Sequence, residues 1–429
     1  MCVFFLSNKL IIIQIKAYLK CPHQNANDTP LDKTSVTYFD DLTCCSQSFS
    51  ILAPLICFLF DHLVIQVTVA RILCSGKELP IYFSLLCPNM KVLGIEFAPL
   101  LVPMHRRYET LAVAAWFFLF AFGGLTGLLV CLYLLFTRLW WLVPLYATWT
   151  YLDRHVSESG GHGNVWVQNW RWWYHLKNYF PVEIDYSQGF SLDPTRNYLF
   201  CCFPHGILPV GPFTAIASTW SKFRKSYPEF KVKSAVLDTF VLLPIIRELS
   251  LAIGVISCSA KSLNYELSRP EGGHIVNLMP GGAMEAYNSQ PGKYKFVVKN
   301  RKGFVRMALR NGSPLVPVIS FGETDLFRQI DNRALRKVQE FVRKYFFLGI
   351  PPVVFMGRGF FQYSFGIIPR RKPINTVVGT PIEVTKLENP TNEQVEELHA
   401  KFVQALVALF DEYKHKYLEN PEDQHLELQ

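Results

Sequence analysis

Residues 111–136 read LAVAAWFFLFAFGGLTGLLVCLYLLF, an apolar run of 26 positions without a charge. About 20 such residues suffice to cross a bilayer core. Thr137 and Arg138 interrupt the run. A second stretch, LWWLVPLYATWTYL (139–152), is shorter, broken by Pro144 and rich in Trp and Tyr, residues that favour the membrane interface. Arg106 and Arg107 precede the pair and Arg154 follows it, so the positive-inside rule puts both outer ends in the cytosol. The pattern predicts a transmembrane or re-entrant helical hairpin over 111–152, one form of which sits in a single leaflet. The competing reading is a buried core helix, which a run of 26 uncharged residues disfavours.

A Gly/Ser linker, VSESGGHG (156–163), follows. Residues 166–181, WVQNWRWWYHLKNYFP, then alternate aromatic and basic positions. They suit an ordinary amphipathic helix or one lying on the membrane with Trp at headgroup level, and the two are compatible. From Asn197 the period shortens. Candidate strands are 197–203, 252–258, 274–279, 315–321 and 375–380, and candidate helices are 207–220, 262–268, 302–311 and 333–347. Strands alternating with helices predict an α/β fold, a mostly parallel sheet flanked by helices. In 391–418, Thr391 and Gln394 form a capping-box signature, and Val395, Leu398, Phe402, Leu406, Leu409, Phe410 and Tyr413 lie on one stripe of a helix.

The first ninety residues differ in composition. Seven of the 11 cysteines lie there, and Lys+Arg and Asp+Glu balance, so the net charge of +9 belongs to the rest of the chain. Segment 3–19 carries Lys9 and Lys16 and is a poor signal peptide. Segment 49–73 holds Asp61 and His62 in an apolar run, which suits at most a marginal span. Residues 1–89 are expected to be an atypical extension or an alternative start, with Met90 the ordinary beginning. Residues 90–110 then form a cytosolic lead, 111–152 the hairpin, and 153–429 a membrane-associated, cytosol-facing domain.

At 429 residues the chain is long enough for two or three domains. With 50% hydrophobic and 18% charged residues it is neither disordered nor a typical soluble chain, which carries about 25% charge. A charge of +9 suits anionic partners: a cytosolic leaflet, a phosphorylated cofactor or nucleic acid. No RNP, zinc-finger or helix-turn-helix pattern favours nucleic acid. The cysteines show no metal-ligand spacing and read as reduced thiols.

Four motifs could carry chemistry. Phe203-Pro204-His205-Gly206 stands between a strand and a helix, where ligands gather in open α/β sheets. His205 there is either a general base or a histidine bonded to a nearby carbonyl. Pro280-Gly281-Gly282-Ala283-Met284-Glu285 follows another strand. Gly281 and Gly282 could leave N–H groups open as an oxyanion nest, and Glu285 could orient His205 or interact with a helix N-terminus. Arg301, Lys302 and Arg306 cluster around Gly303 and Phe304 on a loop entering a helix, either to hold phosphates or as a solvated basic face. Glu323 ends a further strand as a second carboxylate. GxSxG, GxxxxGK[ST] and GxGxxG are absent from the sequence, which weakens serine esterase, P-loop and Rossmann readings. A histidine, a carboxylate and a basic patch fit direct acyl transfer from a thioester to a hydroxyl.

NYLFCCFPHG, PGGAMEA, RKGFVRMALRNGSPLVPVISFGE and TVVGTPIEV, in that order, resemble the type-2 diacylglycerol acyltransferase family over roughly residues 94–429. Tyr179-Phe180-Pro181 is similar to another of its blocks. IEFAPLLVPMHRR (95–107), FQYSFG (361–366) and DQHLE (423–427) resemble its 2-acylglycerol O-acyltransferase branch. The resemblance implies an endoplasmic reticulum enzyme, also compatible with lipid droplets, whose catalytic domain faces the cytosol. It would move a fatty acyl group from acyl-CoA to 2-monoacylglycerol on the path to triacylglycerol. It implies no cofactor and no metal, acyl-CoA being a cosubstrate. Its partners would be mono- or diacylglycerol, membrane lipids, and a second copy or other lipid-synthesis enzymes. By resemblance His205 and Glu285 are catalytic, Gly206, Gly281 and Gly282 belong to the turn and oxyanion site, and Arg301, Lys302, Gly303, Phe304 and Arg306 bind acyl-CoA. Two positions depart from the family pattern. Phe203 stands where the family has the first His of HPHG, and Met356-Gly357-Arg358-Gly359 replaces a His-Gly-Arg-Gly block. If either family His helps position a substrate, the change would weaken catalysis and leave a lipid-binding member. Diacylglycerol and long-chain alcohols are the alternative acceptors.

Overall fold

The computed structural model describes residues 91–99, 102–330 and 353–429, with isolated positions between 332 and 341. The chain divides into two compact units, Met1–Phe83 and Ser84–Gln429, and the described residues all belong to the second. Segments 3–19 and 49–73 lie outside them, as does most of the helix expected over 333–347.

The apolar run folds as helix α1 (Met104–Leu135), followed after a turn by α2 (Leu142–Leu152). Among the described residues α1 is the one helix long and apolar enough to cross a membrane. With 11 residues, α2 is roughly 16 Å long at 1.5 Å per residue, about half of a ~30 Å hydrocarbon core. The expected hairpin thus narrows to one candidate span and a short helix. The first turns of α1 are not free. Glu109, Ala112, Val113, Trp116 and Phe117 are buried, packed on α3 (Arg171–Tyr179). The apolar stripe of α3, Trp173, Leu176 and Tyr179, is buried as well, so this helix turns its apolar face to protein, while Trp166 just before it stays exposed.

The strands of three or more residues are β1 (Val182–Tyr186), β2 (Tyr198–Phe203), β3 (Lys231–Val236), β4 (Val255–Ser257), β5 (His274–Leu278), β6 (Tyr294–Phe296), β7 (Leu315–Phe321), β8 (Ile374–Val378) and β9 (Leu426–Leu428). Seven of them form one sheet in the order β1-β8-β7-β2-β5-β3-β4. The run β7-β2-β5-β3-β4 is parallel throughout, whereas β8 and β1, parallel to each other, join β7 antiparallel. β6 and β9 make a separate parallel pair. Both β2 and β7 are buried at every position, as befits central strands covered on both faces. Side chains alternate across a strand. Leu199, Cys201 and Phe203 therefore join the core under the C-terminal helices, while Tyr198, Phe200 and Cys202 join the core shared with α1 and α3.

All five expected strands are present. The sheet also holds β1 (VEIDY) and β3 (KVKSAV), which were not foreseen because their sequences are half polar. In β3 the Lys233 ammonium donates to the Gly160 carbonyl at 2.8 Å, which lets an interior strand carry a charge. The helix expected over 207–220 is corrected to a six-residue π-helix, Pro212–Ala217. Pro209 and Pro212 lack the N–H groups a regular helix needs here. The remaining α-helices of six or more residues are α4 (Ile246–Ala252), α5 (Ala260–Leu267), α6 (Ala283–Asn288), α7 (Gly303–Asn311) and α8 (Asn392–Tyr417). The reciprocal capping box of Thr391 and Gln394 starts α8, and Val395, Leu398, Phe402, Leu406, Leu409 and Phe410 are its buried stripe.

Candidate active site

Three adjacent parallel strands, β7, β2 and β5, deliver the candidate carboxylates and the histidine from their carboxyl ends. Glu323 follows β7, His205 follows β2, and Gly281, Gly282 and Glu285 follow β5. A cavity of about 740 Å³ opens there, lined by His205, Gly281, Gly282, Asn300 and the 301–306 block among others. Ligands of open α/β sheets gather at this edge because the loops there are free to shape a crevice.

His205 is partly buried. Its Nδ1 lies 3.2 Å from the Gly206 carbonyl oxygen. A carbonyl only accepts, so this contact assigns the proton to Nδ1 and leaves Nε2 with a free lone pair. Burial disfavours the imidazolium and holds the His205 pKa below the ordinary 6.5. The ring is neutral at pH 7 and suited to accept a proton.

Glu285 meets His205 through the backbone rather than the ring. Its Oε2 accepts the His205 N–H and its Oε1 the Val297 N–H, both at 2.8 Å. Glu323 does the same for the next stretch, accepting the N–H groups of Val210 at 2.8 Å and Gly211 at 2.7 Å. Two buried carboxyls thus clamp the two sides of the His205 loop. Burial pushes each up to about 8, even though the N–H donors favour the ionised form. Gly206 has φ +62°, and a Cβ there would stand 2.9 Å from Glu323 Cγ. The loop therefore closes over the carboxyl only with glycine. Gly282, at φ 54° and ψ −144°, holds a backbone shape that is essentially confined to glycine. Among the described residues the N–H groups of Gly281 and Gly282 donate to no acceptor, and both residues line the cavity.

The basic block enters α7. Lys302 pairs with Glu396 and Arg306 donates to Asn392 Oδ1 at 2.8 Å, so both are steered by α8. Arg301 is exposed at the cavity wall. Phe304 turns into the core, 5.1 Å from Phe402 between ring centroids. The N-terminus of α7 has no side-chain cap, and Gly303 leaves open space beside it, an arrangement that favours anions. Arg310 also lines the cavity. It was overlooked in the sequence, although it continues the Lys302–Arg306 row at helical spacing. Other parts of the wall are apolar, with Trp116 and Phe120 from α1, Leu237 and Phe240 after β3, and Met279.

The two departures from the family pattern sit elsewhere. Phe203 is fully buried, stacked on Phe296 at 5.2 Å and near Phe402 at 6.4 Å. Because β2 alternates, it faces the C-terminal helices and is not in the cavity wall. Met356 is also absent from that wall. Its block fastens the foot of α1. Arg358 donates to Thr110 Oγ1 at 3.2 Å and lies over the Tyr179 ring, and Arg371, also over Tyr179, pairs with Glu109 at 2.6 Å. Two blocks of the branch resemblance touch each other: Ala98 N–H donates to the Phe361 carbonyl and Tyr363 N–H to the Glu96 carbonyl.

Residues 132–429 match the diacylglycerol acyltransferase family model. The chain is 42% identical over 326 residues to bovine (Bos taurus) 2-acylglycerol O-acyltransferase 1, covering 75% of this chain and 96% of that protein. It is 40% identical to the human (Homo sapiens) protein of the same name over equal shares. Human diacylglycerol O-acyltransferase 2 is 35% identical over 318 residues, 73% of this chain and 81% of that one. A family match over well over half the chain, with relatives at this identity, leads to one conclusion: the chain belongs to the diacylglycerol acyltransferase family.

Proposed function

We propose that this protein transfers a fatty acyl group from acyl-CoA to the hydroxyl of 2-monoacylglycerol, giving diacylglycerol, with His205 as general base. One observation carries the reading. A neutral imidazole, two free glycine N–H groups, an uncapped basic helix and an apolar wall surround one cavity, in a chain whose relatives bear acylglycerol acyltransferase names.

His205 Nε2 takes the proton of the acceptor hydroxyl, and the oxygen attacks the thioester carbonyl. The tetrahedral oxyanion is met by the N–H groups of Gly281 and Gly282. Collapse forms the ester and breaks the C–S bond, and the CoA thiolate leaves with the proton from His205. Arg301, Arg306 and Arg310, with the α7 N-terminus, hold the CoA phosphates. Glu285 and Glu323 hold the loop and do not touch the reacting atoms. The reading includes an endoplasmic reticulum membrane location with the catalytic domain in the cytosol. The stretch of α1 after Gly124 and the short α2 are of similar length, which suits a hairpin in one leaflet.

The test is acyl transfer in yeast microsomes lacking their own neutral-lipid acyltransferases, supplied with labelled oleoyl-CoA. Diacylglycerol formed from 2-monoacylglycerol and lost in His205→Ala is the expected result. Unchanged activity in His205→Ala would remove the histidine from its role. A preference for diacylglycerol as acceptor, the activity named for the 35% relatives, would shift the acceptor and leave the base in place.

A further inference from the structure

The segment from Leu237 to Ile246 follows β3 and reaches α1. Leu237 and Phe240 line the cavity, with Phe240 6.2 Å from Phe120 of α1 between ring centroids. Leu243 and Pro244 sit in a glycine notch of that helix. A Cβ on Gly124 would stand 2.5 Å from Leu243, and one on Gly127 would stand 2.5 Å from the Pro244 carbonyl. The notch marks where α1 leaves the protein. Trp116 and Phe117 before it are buried, whereas Leu125, Leu128, Leu129 and Leu132 beyond it are exposed. The tip of the segment is also exposed and aliphatic, with Leu242 at 61% and Ile245 at 42%. Ile245 has φ +68° and ψ −59°, and the Ile246 N–H donates to the Pro244 carbonyl at 2.8 Å. This is the strained, positive-φ γ-turn, rare for a β-branched residue. Such strain persists where the surroundings hold it and clusters at functional loops.

We infer that 237–246 is a second membrane contact beside α1, and that the side of the cavity lined by Phe120 and Phe240, where this segment meets α1, faces the bilayer and is the lateral route by which a long-chain acceptor leaves the membrane for the cavity. The partner is the hydrocarbon layer itself. The exposed tip, 242–245, continues the apolar surface of the candidate membrane helix, and the charges flanking it are partnered: Arg247 is paired with Asp153 and Glu248, and Asp238, four residues before Leu242, accepts the Ser257 hydroxyl at 2.5 Å. The inference rests on the acyltransferase reading for the identity of the passing molecule, and not for the membrane contact.

Two arms test it on the full chain in phosphatidylcholine proteoliposomes. Benzoylphenylalanine placed at Leu242 should form lipid adducts on illumination, and the same group at Glu397, an exposed position on α8, should not. Leu242→Glu, checked for an unchanged melting temperature, should raise KM for bilayer-borne long-chain 2-monoacylglycerol roughly tenfold or more, since hydrocarbon excludes a carboxylate. Its KM for acyl-CoA and its rate with a short-chain, water-soluble monoacylglycerol should not change. Absence of adducts at 242 overturns the membrane contact. Adducts with an unchanged KM, or an equal loss with the soluble acceptor, overturn the route. If the parent chain acylates no acceptor, the acyltransferase reading falls and the adducts still decide the contact.

Discussion

At the scale of single residues the site depends on hydrogen bonds to backbone N–H groups. Burial holds the His205 pKa below 6.5, so the base stays unprotonated from neutral pH down past that value. The acid limb of a kcat/KM profile for acyl transfer should therefore fall below pH 6.5, and a limb near 7 or above would contradict the assignment. Glu285 and Glu323 carry protons in the folded state up to about pH 8, whereas unfolded carboxyls lose theirs near 4.3. The folded chain then binds more protons than the unfolded chain between those values, so stability should decline as pH rises through this window. Thermal melts from pH 5 to 9 should show this decline, flattened in Glu285→Gln and in Glu323→Gln. Phe203 was a natural suspect as a lost catalytic histidine, yet its ring packs on Phe296 and Phe402. Phe203→His buries an imidazole among aromatic rings, with a cost of about 1–3 kcal/mol if it finds no partner. A lower melting temperature with no gain in transfer is expected, and increased transfer would return position 203 to the site.

At the scale of elements, α7 and α1 each do two jobs. One face of α7 buries Phe304, Val305, Met307, Ala308 and Leu309, and the other presents Arg306 and Arg310 to the cavity. Arg310→Ala should raise KM for acyl-CoA and leave KM unchanged for an acyl-pantetheine that lacks the nucleotide phosphates. The full effect would be about 1.5–3 kcal/mol for a charge-assisted bond, or roughly tenfold to a hundredfold. An equal rise for both donors would place Arg310 outside phosphate binding. The apolar run of α1 was legible because its length exceeds what most core helices need. That its first turns are docked on α3 was not legible, since an apolar face looks alike whether lipid or protein covers it. The same ambiguity applied to the aromatic-basic stretch at 166–181, where contact with α1 accounts for Trp173, Leu176 and Tyr179.

At the scale of the whole molecule, the sheet gathers groups that lie up to 118 residues apart in the chain, His205 to Glu323. Every residue assigned to the site lies within the second compact unit. A chain beginning at Met90 should therefore retain acyl transfer comparable to the full chain when assayed in the same microsomes, and total loss would show that the first unit is needed for folding or targeting.

By itself the sequence determined the central strands, the capped C-terminal helix, the apolar run and the family, because burial on two faces, helical spacing and motif order are local properties of the chain. Tertiary structure decided the rest. The polar strands β1 and β3 become strands only when neighbours pair their backbones. Glu285 and Glu323 find their partners only when β7, β2 and β5 lie side by side. Phe203 and His205 differ in surroundings although two residues apart, because strand alternation sends the first into the core and the loop beyond the strand brings the second to the cavity. No local pattern encodes which N–H a distant carboxyl will meet, since that depends on sheet order, and sheet order is set by how the whole chain buries its apolar surface.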